Sequence, residues 1–405
     1  MYAGLAVELE PVSGVRAGVS LHILGDGGVL FDGPSQRLYG ANTMATFIWC
    51  HLEEGLSPAA IARRVEEVFA VPATEAATLV GISLGQWRDV GLLGPPQPGA
   101  ALEPAGRVAR ARRQPSTMEV PPIRHSPVAV QSYRLLDTPF RLSFSSQELL
   151  AEVAPVLAPL ANVPSASEEE LELVATPGRI ALCHAGQAID DCSGWDGIVP
   201  MLKAALVLFA LDRSDDFAAI HAAALARNGL CFLIPGESGQ GKSTLSAALA
   251  AAGFRLLGDD TIVLARETLE ARAIPFSICL KEGSWPLLAS RFPALVERPV
   301  HLRGDGKIVR YLAPGQGHDW AKPSFQTPVD GIVLLARGTG QTPGIVPLDP
   351  VVAFPRFLQD FYPLSGGLDA ARVEQLVQWV SGRRCLELRY DTLDEGTALM
   401  KELCS

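Results

Sequence analysis

The stretch Gly236-Glu237-Ser238-Gly239-Gln240-Gly241-Lys242-Ser243 fits the pattern G-x-x-x-x-G-K-[ST] without a mismatch. Its residue types suit the holding of phosphate. Glycines 236, 239 and 241 permit torsions that turn successive backbone N–H groups into one concavity. Lys242 can bridge the outer phosphates of a nucleotide, and the Ser243 hydroxyl can ligate Mg²⁺. Thr244 opens a run of Ala and Leu that reads as a helix, whose positive end points at the same place. Downstream, Gly258-Asp259-Asp260 puts two adjacent carboxylates at the end of a short apolar run. One can hold a metal, directly or through water, and the other can take a proton from an attacking hydroxyl. The same pair would also suit a plain surface turn. No N-K-x-D guanine-reading motif is present, and the pair lacks the long apolar run that precedes the acidic residue of motor and GTPase folds. Both absences argue against a GTPase.

These residues need a scaffold. Residues 230–234 read as a buried strand feeding the glycine-rich loop, and 254–257 as the strand feeding the carboxylates. Residues 218–225 form another apolar, strand-like run, which contains His221. Further upstream, 133–144 predicts a strand and turn, 146–160 a helix, 179–185 a strand and 195–211 a helix. Its part 198–211 is the most apolar stretch, but it is interrupted by Lys203 and too short to span a bilayer, so it reads as a buried helix.

The front of the chain has a different rhythm. Residues 18–33 alternate like two strands around Gly25-Asp26-Gly27-Gly28, with a third short strand at Arg37, Leu38 and Tyr39. The period then becomes helical. Ala45, Ile48, Trp49 and Leu52 mark one helix. Ser57-Pro58 opens a second, striped by Ile61, Val65, Val68 and Phe69. Thr74 opens a third, with Leu79, Ile82, Leu84 and Trp87. This is a small winged-helix pattern. Between 95 and 127, eight prolines and a group of arginines read as a solvated tether. The expected organisation is therefore residues 1–95, a linker at 96–127, and a second domain at 128–405.

Composition bounds the function. The chain has 405 residues, 48% hydrophobic and 19% charged, with a net charge of −10. An acidic chain has no general attraction to nucleic acid, and the third helix of the front unit, 74–87, carries no Lys or Arg, so DNA is not its expected partner. Seven scattered cysteines without a C-x-x-C pair predict neither disulfide framework nor zinc site. The N-terminus lacks a signal-peptide pattern. A cytoplasmic protein without membrane attachment is expected.

The order His221-Ala222-Ala223, then the glycine-rich loop, then Gly258-Asp259-Asp260 resembles the catalytic core of HPr serine kinases. The resemblance is closest over 185–270 and extends over 128–405. It implies an HPr kinase/PEP carboxykinase-like P-loop domain of α/β class, ATP and Mg²⁺ as cofactors, and Asp259 or Asp260 as base toward a serine. It also implies His221 beside the phosphate, with Lys242 on the phosphoryl group. The metal would be held by Ser243 and Asp260. Two segments, 276–281 and 306–311, resemble the branch that accompanies peptide natural-product clusters. They make Lys281, Lys307 and Arg310 candidates for nucleotide or transferred-phosphate contacts. The segment E-x-R-G-x-G of true HPr kinases is missing after the carboxylates, so HPr as substrate and a phosphorylase half-reaction are not implied.

Residues 18–94 resemble the PqqD family, peptide-binding chaperones also called RiPP recognition elements. The resemblance runs from Val29-Leu30-Phe31-Asp32 through 45–49, Gly55-Leu56-Ser57 and 61–69 to Gly91-Leu92-Leu93. It implies that a leader peptide adds a strand to the sheet edge against the third helix. That implicates Arg37, Leu38, Tyr39, Leu79, Ser83 and Gln86. The combined expectation is an ATP-dependent kinase for a Ser or Thr hydroxyl of a ribosomally made precursor peptide. Two alternatives stay open: a kinase of a carrier protein or small molecule, and a nucleotide-binding peptide chaperone without kinase activity. Homo-oligomerisation is also left open.

Overall fold

The computed structural model of the protein describes residues 14–94, 127–165, 168–237, 239–313, 319–338, 340–358, 361–364 and 366–405. The expected tether at 96–127 lies outside them, apart from its last residue, and so does Ser238. The chain divides into two compact units. The first holds the described residues up to 94 together with 349–356 and 367–382. The second holds the described parts of 127–348, 357–366 and 383–405.

In the first unit, strands Val19–Leu24, Gly27–Asp32 and Arg37–Ala41 form an antiparallel sheet in chain order. Helices Thr43–Glu53, Pro58–Phe69 and Ala73–Asp89 follow. Asn42 and Ser57 cap the first two by accepting from the N–H groups of Ala45 and Ala60, and Pro58 sits at the first helical turn. The second helix ends at Ala70, which turns left-handed (φ 51°), before Pro72 is reached. Trp49 and Trp87 meet edge to face at 4.9 Å in a core with Leu30, Ile48, Ile61, Val65 and Val80.

Every residue of the central strand Gly27–Asp32 is buried. Leu30 packs into the core of the three helices, while Val29 and Phe31 face the opposite way and are also buried. Helices Pro350–Phe357 and Ala370–Ser381 cover that second face, through the residues that belong to this unit. A Cβ on Gly27 would lie 2.9 Å from Val351 Cγ2, and one on Gly40 would lie 3.0 Å from Pro355 Cγ, so both glycines are sites of close approach. Gln36 Nε2 donates to the Leu368 carbonyl at 2.9 Å, and Leu368 N–H donates to Gln36 Oε1 at 2.7 Å. His22 Nδ1 and Glu374 Oε2 lie 2.7 Å apart.

The second unit is built on a six-stranded mixed sheet in the order Arg255–Gly258, Ala222–Arg227, Leu230–Pro235, Gly331–Arg337, Arg384–Tyr390, Gly344–Pro347. Leu245 and Leu249 of helix Lys242–Ala251 and Met400 of helix Leu393–Leu403 share a core with Phe232, Ile234, Val333 and Leu388 of the sheet. A five-stranded sheet contains Ile262–Leu264 and Ala218–Ile220 as neighbours. A three-stranded sheet joins Ile278–Lys281, Ile308–Leu312 and His301–Leu302. A further five-stranded sheet spans 129–192, and its apolar face shares a core with helices Gln147–Leu157 and Ile198–Leu211. Residues 195–197 form a 3₁₀ turn rather than the first turn of that last helix.

One expectation is corrected. The apolar run 218–225 is not a single strand: Ala218–Ile220 and Ala222–Arg227 belong to different sheets, and His221 is the residue between them. The run is apolar on both sides of His221 and both pieces are buried, so hydrophobicity alone did not assign them to different sheets.

Candidate active site

Two chain segments change sheets at one place. The first does so at His221. The second leaves the six-stranded sheet after Gly258 and enters the five-stranded sheet at Ile262, with Asp259 and Asp260 in the gap. Register ties these gaps to the glycine-rich loop. Ala222 pairs with Pro235, and Ala224 pairs with Gly258. His221, Gly236 and Asp259 therefore lie at the same end of the sheet. The carboxylate strand and the loop strand flank the histidine strand, about 10 Å apart at ordinary strand spacing.

The loop itself has the geometry that its glycines allow. Gly236, Gly239 and Gly241 have φ of 144°, 107° and 93°, torsions that a side chain disfavours. Gly241 directly precedes helix Lys242–Ala251, so the first N–H groups of that helix open onto the loop. Lys242 is buried, and its ammonium donates to the carbonyls of Gly236 and, at 3.1 Å, Glu237. Glu237 and Gln240 are exposed, and Ser243 is half-buried. Thr244 is engaged elsewhere: its hydroxyl meets that of Ser284 at 2.7 Å. Tyr390, at the end of its strand, lies beside the loop, its hydroxyl 3.7 Å from where a Cβ on Gly241 would stand. Burial pushes that phenol up to about 12.

The two carboxylates differ sharply. Asp259 is 3% exposed. Lys203 Nζ approaches its Oδ1 at 3.4 Å, and the Cys279 N–H donates to its Oδ2 at 3.1 Å. Lys203 also donates to the Ser277 carbonyl at 3.4 Å and lies about 6 Å from the rings of Phe276 and Tyr311. Burial alone would lower the Lys203 ammonium, but Asp259, then Asp260 and Cys279, hold its proton affinity above the ordinary value. Burial pushes the Asp259 carboxyl up, with Lys203 opposing. Asp260, by contrast, has a side chain 35% exposed. His221 Nδ1 donates to its backbone carbonyl at 2.8 Å and lies 3.4 Å from its Oδ1. A carbonyl only accepts, so Nδ1 carries a proton and Nε2 is left to accept or donate.

Lys203 was not among the residues that spacing singled out. The signal was one lysine in an otherwise apolar helix, and nothing local says where such a lysine points. Arg303 and Cys279 were also missed. Arg303 Nη1 lies 4.0 Å from Cys279 Sγ.

Lys281, Lys307 and Arg310 separate into two places. In the three-stranded sheet Cys279 pairs with Tyr311, Lys281 with Val309 and Leu280 with Arg310. Val309 and Tyr311 pack into the core that contains helix Ile198–Leu211. Ile278, Leu280 and Leu312 pack into the core that contains helix Lys242–Ala251. By strand alternation Lys281 shares the first face, and Arg310 the second. There the Arg310 guanidinium lies 4.1 Å over the ring of Trp285.

Mg²⁺ can be tested against the donors. Among the described residues no three His, Cys, Asp or Glu side chains converge as a metal cage. The Ser243 hydroxyl and the Asp260 carboxylate are hard oxygen donors, and Mg²⁺ is held by one or two such groups plus substrate phosphates and water. The donor set fits.

In the first unit, Arg37–Ala41 is the outer strand, and among the described residues no strand pairs with its free edge. Arg37 is exposed, while Leu38 and Tyr39 are half-buried. On helix Ala73–Asp89, Leu79, Ser83 and Gln86 are spaced to share one face. Leu79 and Ser83 are half-buried and Gln86 is exposed. The Ser83 hydroxyl donates back to the Leu79 carbonyl at 3.0 Å.

Residues 27–93 match coenzyme PQQ synthesis protein D (PqqD). The PqqD-matching region takes in the second and third strands and all three helices, hence both the free edge and the helix face just described. Solved structures similar to parts of the chain include a lasso peptide synthetase B1 complexed with the leader peptide. It is 27% identical and covers 20% of this chain and 95% of that one, with a TM-score of 0.19. TbiB1 in complex with the TbiA(beta) leader peptide is 21% identical over 20% of this chain and 93% of that one, TM-score 0.19. The Hpr(Ser) kinase/phosphatase from Coxiella burnetii is 19% identical over 46% of this chain and 95% of that one, TM-score 0.24. No curated protein matches the chain. No helix among the described residues is long and apolar enough to cross a membrane.

Proposed function

We propose that this protein transfers the terminal phosphoryl group of ATP to a Ser or Thr hydroxyl of a precursor peptide, whose leader is held by the PqqD-matching unit. The observation that carries the reading is the convergence of the glycine-rich loop, His221 and the carboxylate pair at one end of one sheet. A phosphate-binding loop alone binds nucleotide. A loop with a half-buried, partly accessible carboxylate two strands away also offers a base for an acceptor hydroxyl.

In this reading the nucleotide phosphates lie against the N–H groups of the loop and the start of helix Lys242–Ala251. Lys242 stabilises charge on the moving phosphoryl group. When bound, Mg²⁺ would be held by Ser243 with the nucleotide phosphates and water, and would neutralise charge on the phosphate oxygens, leaving Asp260 free to act as base. The acceptor oxygen bonds to the terminal phosphorus as the bond to the bridging oxygen breaks, and the hydroxyl proton passes to Asp260. His221 steadies Asp260 through its carbonyl. Asp259 is the buried partner, held by Lys203 and the Cys279 N–H, and it fixes the turn that presents Asp260. ADP and a phosphopeptide leave.

The free edge of Arg37–Ala41 supports leader capture as an added strand, and in this reading the helix face of Leu79, Ser83 and Gln86 contacts the leader side chains. Tethering there raises the effective concentration of the acceptor at the phosphoryl site. The experiment is intact mass of a candidate precursor after incubation with the full chain, ATP and Mg²⁺, with and without excess free leader. A gain of about 80 Da per phosphoryl group, lost in Lys242→Ala and reduced by free leader, supports the reading. ATP binding without any mass gain would instead favour a carrier or small-molecule acceptor, or a chaperone role.

A further inference from the structure

The hairpin that follows strand His301–Leu302 gathers charge that the steps above do not use. Its turn is closed by Arg303 N–H donating to the Lys307 carbonyl at 3.0 Å and by Gly306 N–H donating to the Arg303 carbonyl at 2.9 Å. Asp305 sits inside the turn, 3.2 Å from Arg303 Nε and 2.9 Å from Lys307 Nζ. Lys281 belongs to the same face, its backbone paired with Val309, two residues beyond Lys307. Three cations thus gather around one turn, with Asp305 paired to Arg303 and Lys307. The Lys281 ammonium is held below its ordinary value, first by burial and then by Lys307 and Arg303. In a chain of net charge −10 this is a concentrated positive spot.

Its position selects its ligand. Arg303 reaches Cys279, whose N–H holds Asp259, and Arg303 also feels the charge of Asp260. The cluster therefore borders the carboxylate pair. It lies on the face of the three-stranded sheet opposite to the one packed on helix Lys242–Ala251. A nucleotide cradled by that helix comes from the other side, and the acceptor must enter in line, opposite the leaving group. We propose that Lys281, Arg303 and Lys307 recognise an acidic side chain that flanks the acceptor hydroxyl of the peptide. This proposal rests on the peptide-kinase reading, and it makes the cluster a determinant of which hydroxyl is chosen.

The test uses the full chain and a set of serine-centred synthetic peptides in which each flanking position is Glu, Gln or Lys. Binding is measured by fluorescence anisotropy with a non-hydrolysable ATP analogue present, and phosphorylation is measured separately with ATP. Glu-flanked peptides are expected to bind more tightly than their Gln counterparts, by about two- to fivefold for each charge satisfied. Lys281→Gln combined with Lys307→Gln should erase that preference while leaving the KM for ATP in place. Arg310→Gln, on the opposite face, should leave the preference intact. Equal binding of Glu and Gln peptides, or a rise in the KM for ATP in the double variant, would overturn the proposal. A Glu preference in binding without any phosphorylation would sink the kinase reading and leave the anion site standing.

Discussion

The glycine-rich loop and the three-stranded sheet of the first unit are assembled in opposite ways. The loop takes its shape from eight consecutive residues, and its critical torsions fall on Gly236, Gly239 and Gly241. The sheet takes its second cover from residues 349–356 and 367–382, more than three hundred positions after its first strand. A site made by backbone torsion is set by local sequence. A surface finished by remote helices depends on the rest of the chain having folded. Substitutions at the first should therefore remove chemistry and leave stability, and substitutions at the second should do the reverse.

The largest effect tests the carboxylates. Asp260→Asn should cut kcat by roughly 10²- to 10⁴-fold with little change in melting temperature, the scale of a lost general base. An equal activity loss accompanied by unfolding would place Asp260 with the structural residues instead. Lys203→Met sits between the two classes. It leaves Asp259 buried without its cation, which costs about 3–5 kcal/mol and should appear as a lowered urea midpoint. Adding Asp259→Leu should restore much of the stability but not the activity. Lys242→Ala should lower kcat by about 10²- to 10³-fold, the cost of losing one donor to developing charge, in a protein whose denaturation curve is unchanged.

The remote cover predicts smaller and purely structural effects. Gln36→Ala removes both bonds to Leu368 and should cost on the order of 1–3 kcal/mol, read in calorimetry as loss within the first unit. Kinetics with a leaderless acceptor should not change. Glu374 gives a pH signature. Its hydrogen bond with His22 holds its carboxyl below the ordinary value, so folding favours the ionised form. The stability from this group is fully present above the ordinary glutamate range and is lost as pH falls through the lowered value. Glu374→Gln should flatten that acid limb slightly, and an unchanged limb would show that the pair adds nothing.

The same contrast explains what sequence reading could and could not reach. The loop, the strand before it and the carboxylate strand were legible because motif and hydrophobic run are contiguous. The helix start at Ser57 was legible because capping is a local hydrogen bond. Lys203 was read only as an interruption, since periodicity says that a helix is buried but not which distant carboxylate awaits its ammonium. The break at His221 was not read because the apolar pieces on its two sides look alike in sequence. The cation pairing of Lys281 with Lys307, and the separation of Arg310 from both, depend on strand alternation across a register that no single strand discloses. The PqqD-like pattern was legible in its strands and helices, but not in the two helices that complete it.

Those two helices also set an order of events during synthesis. Residue 94 leaves the ribosome long before residue 382, and at ordinary elongation rates of 5–20 residues per second the gap is roughly 15–60 s. Until then Gly27–Asp32 has one face covered and the other open to water or to other nascent chains. An apolar strand exposed for that long is a binding site for holding chaperones, and its protection comes only once residues 349–382 have been made.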